Sequence, residues 1–315
     1  MFWFGVLGVT ESVVGTILNF LTLSYFISRK NLSVSTILYI GFNTSDLLVC
    51  AMTMAVGVSN LHHGNPGWFG NKTYCTLWGI LWSISIRMSV YIIGILSISR
   101  TLSHIKPLQP INKRVIVHLL AWYLLLLTIQ SFLPFLYNKG YYYSKDSMMC
   151  VWQLAEMFDI ESVSFKTVYF ITIVLQFILP ALPIVTSCFI SVIILRRKVS
   201  EHSDLQGHIS KRRATVTVIL LTLAYAIFYF PLCVVLAQHS VYLFCNKCFI
   251  SISDNQILEQ FFSTHFFALN AITNAIIYFS RIEDMRLFIL KSRHGIMYGI
   301  ELIRDKLIIF RFKTA

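Results

Sequence analysis

Charge is what this sequence has least of. Asp, Glu, Lys and Arg together make 13% of its 315 residues, about half of the ~25% usual in soluble domains. Hydrophobic residues make 56%. That balance excludes one large soluble core, because nothing would cover so much apolar surface. Low-complexity linkers and sequence repeats are also missing, so neither a separate soluble domain nor a repeat-built transporter is visible. The nine histidines contain no HExxH or other paired metal spacing, which removes the usual basis for a metallohydrolase. His62-His63 reads as a loop pair. No catalytic set remains, and an enzyme is not expected.

Seven long apolar runs are present: Phe2–Ile27, Ser35–Leu61, Tyr74–Leu102, Arg114–Leu136, Thr167–Leu195, Ala214–Leu236 and Ile257–Phe279. A helix needs ~20 apolar residues to cross a hydrocarbon core ~30 Å thick. The runs are therefore spans one to seven of an all-α membrane protein. Span one is too long for the apolar part of a signal peptide, lacks a basic start, and carries Glu11 and Asn19. A start at Met1 leaves almost no tail, so the amino terminus is very short or the chain is a fragment.

Short loops retain Lys and Arg on the cytoplasmic side. With the amino terminus outside, twenty of the 26 basic residues fall in inner segments and five in outer ones, while Arg87 lies within the membrane. The orientation follows. The net charge of +12 then needs no nucleic acid, since anionic inner-leaflet lipid suffices as its partner. Arg196-Arg197-Lys198 and Lys211-Arg212-Arg213 bracket a short inner loop as stop-transfer anchors.

Cys75, Cys150, Cys245 and Cys248 fall outside, where disulfides persist; Cys50, Cys188 and Cys233 fall within spans. Cys245 and Cys248 have CxxC spacing without further ligands, which fits a local second disulfide or free thiols better than zinc. Asn71-Lys72-Thr73 is an outer glycosylation sequon. The sequons at Asn31 and Asn43 fall inside and within a span, where neither is expected to be used.

A charged side chain at mid-bilayer costs ~2.5–3.5 kcal/mol on insertion scales, so such residues usually face the bundle interior and carry function. The informative polar ones are Glu11, Asn19, Asp46, Arg87, Asn270 and Asn274. Asn270 and Asn274 share one helix face, and with Asn19 and Asp46 such groups can form a buried network across spans one, two and seven.

In order and in register, these residues and others resemble the rhodopsin-like G-protein-coupled receptors from Asn19 to about Met285. Asn19 and Asp46 match the first- and second-helix landmarks. Gly67-Trp68-Phe69-Gly70 with Cys75 matches the first outer loop. Arg100, 25 residues after Cys75, lies in Ser99-Arg100-Thr101, with Pro107-Leu108 following. Trp122, Pro180 and Pro231 match spans four, five and six, and Asn274-Ala275-Ile276-Ile277-Tyr278 resembles Asn-Pro-x-x-Tyr. The resemblance implies a Cys75–Cys150 disulfide. It implies a sodium pocket of Asp46, Ser89, Asn270 and Asn274, for which a purely structural hydrogen-bond network is the plain alternative. It also implies coupling to a G protein through Ser99, Arg100, Thr101, Asn274 and Tyr278.

Five positions depart from the pattern. Ser99 replaces the acidic residue before the arginine, and Thr101 the tyrosine after it. Tyr229 stands for the sixth-helix tryptophan, Ala275 for the seventh-helix proline, and Cys188 for the fifth-helix tyrosine. A carboxylate would hold Arg100 by a charge-assisted bond, whereas Ser99 offers a neutral acceptor and Lys211 would repel it. A weakly held resting state is expected. Cys188 and Ala275 cut the other way, toward altered or lost coupling.

By the same resemblance a ligand cavity opens outward, lined by Trp82, Ser83, Ile86, Arg87, Gln176 and Tyr229. Trp82 stands where amine receptors carry an aspartate, so a monoamine is not expected, and the seventh run has no lysine for a retinal Schiff base. Arg87 is 12 residues after Cys75 and 13 before Arg100, near mid-membrane. It sits ~200° around the helix from Ser89. Spans four and five contain no Asp or Glu, which leaves Gln130 and Gln176 as neutral partners or an anionic ligand as the counter-charge. Tyr141-Tyr142-Tyr143 and Cys150-Val151-Trp152 give the second outer loop an aromatic surface, suited to a peptide or to a lid on the bundle. A peptide ligand comes first and a small acidic molecule second.

The expectation is a seven-transmembrane receptor domain over 1–280 and a cytoplasmic amphipathic helix and tail over 281–315. Ile282 to His294 would form that helix on the membrane surface. The chain sits in the plasma membrane with its carboxyl terminus in the cytosol. Its partners are an extracellular ligand, a heterotrimeric G protein, arrestin and membrane lipid, with no nucleic acid. Sodium at Asp46 is the one ion implied. The alternatives are a receptor-shaped protein that does not couple, or a multi-span transporter using Asp46 and Arg87.

Overall fold

The computed structural model describes residues 2–29, 33–61, 71–105, 112–136, 141–144, 149–152, 184–186, 189–190, 192–193, 215–231, 234, 262–285 and 287–288. Span one is an α-helix over Phe2–Ile27, span two over Val34–Leu61, span three over Lys72–Ile105 and span four over Lys113–Leu136. Span six is helical over Thr215–Pro231. The described part of span seven is a π turn, Phe262–Phe266, followed by an α-helix over Phe267–Arg281. Helical residues at 184–186, 189–190 and 192–193 fall in span five. Spans one, two and three are long and apolar enough to cross a membrane.

Helix is the form these runs must take, because lipid offers no partner to a free backbone group. Side chains complete the bonding at the starts. The side-chain oxygens of Ser33, Asn71 and Asn112 accept from the backbone N–H groups of Thr36, Thr73 and Arg114 at 3.2, 2.9 and 2.9 Å, as N-caps do. Within the spans, hydroxyls turn back on their own helix, for example Ser12 to the Gly8 carbonyl at 2.6 Å and Thr53 to the Val49 carbonyl at 2.9 Å.

Spans one and two touch backbone to backbone. A Cβ at Gly57 would lie 2.8 Å from the Val9 nitrogen and 3.0 Å from the Gly8 carbonyl carbon. Only glycine permits that approach, the small-residue contact that packs helices in lipid. Inside the bundle, Phe42, Leu38, Ile92, Ile93, Leu96 and Leu221 are buried together with Asn19, Asn43, Asp46, Asn270 and Asn274. Outside, Ile17, Phe20, Trp122, Ile227 and Phe230 face outward. Polar groups inside and apolar groups outside is the arrangement of a protein dissolved in hydrocarbon.

Two strands, β1 (Tyr141–Ser144) and β2 (Met149–Trp152), pair antiparallel with Tyr143 opposite Cys150. Cys150 is bonded to Cys75 at the start of span three, with Cα atoms 5.4 Å apart. The aromatic loop expected from the sequence therefore contains a hairpin, built from residues that favour strands and pinned to the bundle by the bridge. At the other end, Arg29 pairs with Asp284 at 2.7 Å and donates to the Tyr25 hydroxyl. Tyr25 meets Phe288 edge-on at 5.7 Å. Residues 283–285 and 287–288 are helical, within the stretch expected to lie on the membrane surface; its remainder, to His294, lies outside the described residues.

Candidate functional site

Asp46 is the centre of the buried polar network. Its Oδ1 accepts from the Ser89 hydroxyl at 3.3 Å and its Oδ2 from Asn274 Nδ2 at 3.1 Å. One carboxylate thus joins spans two, three and seven. Span one is tied in separately, as Asn19 Nδ2 donates to the Ala271 carbonyl at 3.1 Å. Asn270 is buried on the same face of span seven, but its Oδ1 has no donor among the described residues. The Oδ1 atoms of Asn19, Asn43 and Asn274 are in the same condition. A set of buried oxygens lacking donors is chemically suited to water or to a hard cation such as sodium.

Toward the bridge-bearing end, aromatic rings form a floor between spans three, six and seven. Trp82 stacks on Trp78 at 5.1 Å and meets Phe267 edge-on at 6.4 Å. Tyr229 lies 5.2 Å from Phe267 and stacks on Tyr225 at 4.6 Å, while Phe228 meets Phe266 at 5.9 Å. Of the expected cavity residues, Trp82, Ile86 and Tyr229 are buried, and Ser83 and Arg87 are half-buried. Tyr91 of span three and Tyr123 of span four stack with ring centroids 3.3 Å apart. Gln176 and the Gln130 side chain lie outside the described residues, as do Cys245 and Cys248.

Of the residues expected to meet a G protein, Ser99, Thr101, Asn274 and Tyr278 have described side chains. Ser99 donates to the Leu96 carbonyl at 3.1 Å and Thr101 to the Ser97 carbonyl at 3.0 Å, so both hydroxyls are turned into their own helix. Arg100 belongs to the same helix, but its side chain lies outside the described residues, as does Lys211. Tyr278 is fully buried, edge-on to Phe26 at 5.6 Å and to Tyr39 at 5.2 Å. Its hydroxyl has no partner among the described residues. Asn71 is exposed, with its side-chain oxygen capping span three.

Sequence reasoning missed one feature. His265, in the π turn, meets Glu11 of span one with Nδ1 and Oε2 2.8 Å apart, and the two side chains are only 4% and 5% exposed. Glu11 was legible as a costly charge in lipid. Its partner is 254 residues away in sequence, and no spacing rule pairs such residues.

None of the curated proteins matches the chain in sequence. Its fold is similar to that of squid rhodopsin, known from a crystal structure: TM-score 0.68 at 16% identity, over 94% of this chain and 86% of that one. The family model of the seven-transmembrane receptors of the rhodopsin family matches residues 18–278, a stretch that takes in the Asp46 network, the aromatic floor and the Cys75–Cys150 bridge, and the chain belongs to that family.

Proposed function

We propose that this receptor binds an extracellular ligand in the cavity floored by Trp82, Tyr229 and Phe267, and passes the event to a heterotrimeric G protein by outward movement of the inner end of span six around Arg100. The observation that carries the reading is the continuity of span seven. Phe267 belongs to the aromatic floor, Asn274 to the Asp46 network, and Tyr278 to the aromatic cluster at the opposite end, all on one helix. A shift at the floor is thereby communicated along one rigid element. The Ser97–Thr222 hydroxyl contact between spans three and six is 3.5 Å, at the outer limit of a hydrogen bond, which favours span six as the moving part.

The ligand class follows from the floor. Trp82 and Tyr229 supply faces and edges rather than a counter-charge, which disfavours an ammonium compound and suits aromatic side chains of a peptide. A small acidic molecule reaching Arg87 is the second choice. The bridge end is the extracellular end, because disulfides persist there, and the plasma membrane with cytosolic carboxyl terminus is the expected setting. Sodium would be held by Asp46 and Ser89 with the Asn270 and Asn274 oxygens, where it would supply fixed positive charge and stiffen spans two, three and seven. Arrestin and inner-leaflet lipid complete the partners.

A receptor-shaped protein that does not couple is the second reading, favoured by Ser99, whose hydroxyl is committed to its own backbone. The test is expression-dependent dissociation of several G-protein families in cells, against ion or solute flux. Dissociation is expected at verified surface expression; flux without dissociation would overturn the proposal.

A further inference from the structure

Five residues of span seven, Phe262–Phe266, form a π turn, which holds one residue more than an α turn and often marks a functional site. Three observations meet there. His265 is bonded to Glu11 of span one at 2.8 Å, both groups buried. The imidazole is seated against the glycine surface of span one: a Cβ on Gly8 would lie 3.6 Å from its Cε1, and the Phe4 ring lies 5.8 Å away. The two residues after it, Phe266 and Phe267, meet Phe228 and Tyr229 of span six and Trp82 of span three.

We infer that Glu11 is a positioning residue, which by holding His265 keeps the π turn wound and so fixes the register in which span seven enters the aromatic floor. The physical reason is the conflict between the two sides. In a regular α-helix each residue advances ~100°, so His265, Phe266 and Phe267 point to three different directions in fixed succession. A π turn changes that succession by one residue. Without an anchor the extra residue is unfavourable, because regular α geometry bonds the backbone as well and packs more tightly. Glu11 supplies the anchor: a carboxyl group buried in a membrane bundle needs a partner, and among the described residues His265 is the one that reaches it. Loss of the anchor lets the turn relax to α, and residues before Phe267 rotate by ~100° relative to those after it. Asn270 and Asn274 lie after the turn and keep their places.

The test reads helix register rather than signalling, so its failure is separable from failure of the proposed coupling. Thr264 is 1% exposed and Ala271 fully buried; each is replaced singly by Cys in the full chain, embedded in lipid nanodiscs, and alkylation at that site is followed by peptide mass spectrometry. With Glu11 intact, both sites are protected. With Glu11→Gln or Glu11→Ala, Thr264→Cys is expected to react about tenfold faster or more, as a locally opened site does, while Ala271→Cys stays protected. The exchange Glu11→His with His265→Glu is expected to restore protection. Should Glu11→Ala fail to fold, the pair Glu11→Gln with His265→Gln keeps a neutral contact and is read in its place, with partial protection expected. Unchanged protection of Thr264→Cys in the Glu11 variants overturns the inference. So does simultaneous exposure of both sites, which would mean general loosening of the bundle.

Discussion

Asp46→Ala removes an acceptor shared by spans two, three and seven, and its cost can be worked from the network. Two donors lose their partner, Ser89 at 3.3 Å and Asn274 at 3.1 Å. A buried donor left unsatisfied costs ~1–3 kcal/mol. Ser89 can turn to its own helix, as Ser85 and Thr101 do, and falls at the low end. Asn274 Nδ2 must give up its present position to turn to a helix carbonyl as Asn19 and Asn43 Nδ2 do, and its Oδ1 already lacks a donor among the described residues, so it falls at the high end. Hydrogen bonds in lipid average only ~0.6 kcal/mol in double-mutant cycles, because the unfolded chain in the membrane finds partners too. The expected loss is therefore ~1–3 kcal/mol for Asp46→Ala, and less for Asp46→Asn, which keeps one oxygen. At ~2–4 °C per kcal/mol for domains of 150–250 residues, the alanine variant should melt roughly 5 °C lower in nanodiscs. Sodium should raise the melting temperature of the native chain by mass action and leave both variants unmoved. Equal melting of all three chains, or equal stabilisation by sodium, would refute the reasoning.

Gly57→Val places a Cβ 2.8 Å from the Val9 nitrogen, and backbone cannot yield as a side chain can. Overpacking of this kind costs ~1–3 kcal/mol or more, so a lower melting temperature and reduced surface expression are expected, by thermal shift and flow cytometry. Cys75→Ser opens a loop of sequence separation 75, worth ~4–5 kcal/mol in the chain-entropy model; loss of cell-surface receptor is the expected readout, with intracellular retention. Ser99→Asp supplies a carboxylate beside Arg100 and should lower ligand-independent G-protein dissociation at matched expression, since a charge-assisted bond then holds the guanidinium. Dissociation unchanged or raised would show that this neighbour does not set the resting state.

The fold was legible because lipid imposes two demands that sequence records directly. Runs such as Phe2–Ile27 and Arg114–Leu136 must be apolar and long, and the observed helices begin or end within a residue or two of them. Asp46 and Asn274 were legible for the complementary reason that polar groups in such runs are rare and need one another. What could not be read are geometries that depend on pairs distant in sequence. The π turn at Phe262–Phe266 carries no local signature, because its stability comes from Glu11 on another helix. The β1–β2 hairpin depends on the tether of Cys150 to span three as much as on strand propensity. That the Ser99 hydroxyl donates to the Leu96 carbonyl depends on a rotamer; the Arg100 side chain that its lone pairs were read to meet lies outside the described residues.

The departures from the family pattern share a physical consequence. Where a carboxylate would restrain Arg100, Ser99 is turned into its own helix. Where a proline would bend span seven within Asn274–Tyr278, Ala275 leaves a continuous α-helix from Phe267 to Arg281. Span seven is held by Glu11 at the π turn, by Asp46 at mid-membrane and by Phe26 and Tyr39 around Tyr278. Within the continuous helix Phe267–Arg281 the contacts at Asn274 and at Tyr278 are mechanically coupled, since rotation at one must appear at the other, whereas the π turn takes up a change at Glu11. Substitutions at Asp46 and Tyr39 should therefore be non-additive despite their separation, whereas sites so far apart usually add within ~0.3–0.5 kcal/mol. Additive melting shifts for Asp46→Asn and Tyr39→Leu in a double-mutant cycle would mean that span seven bends freely between Asn274 and Tyr278.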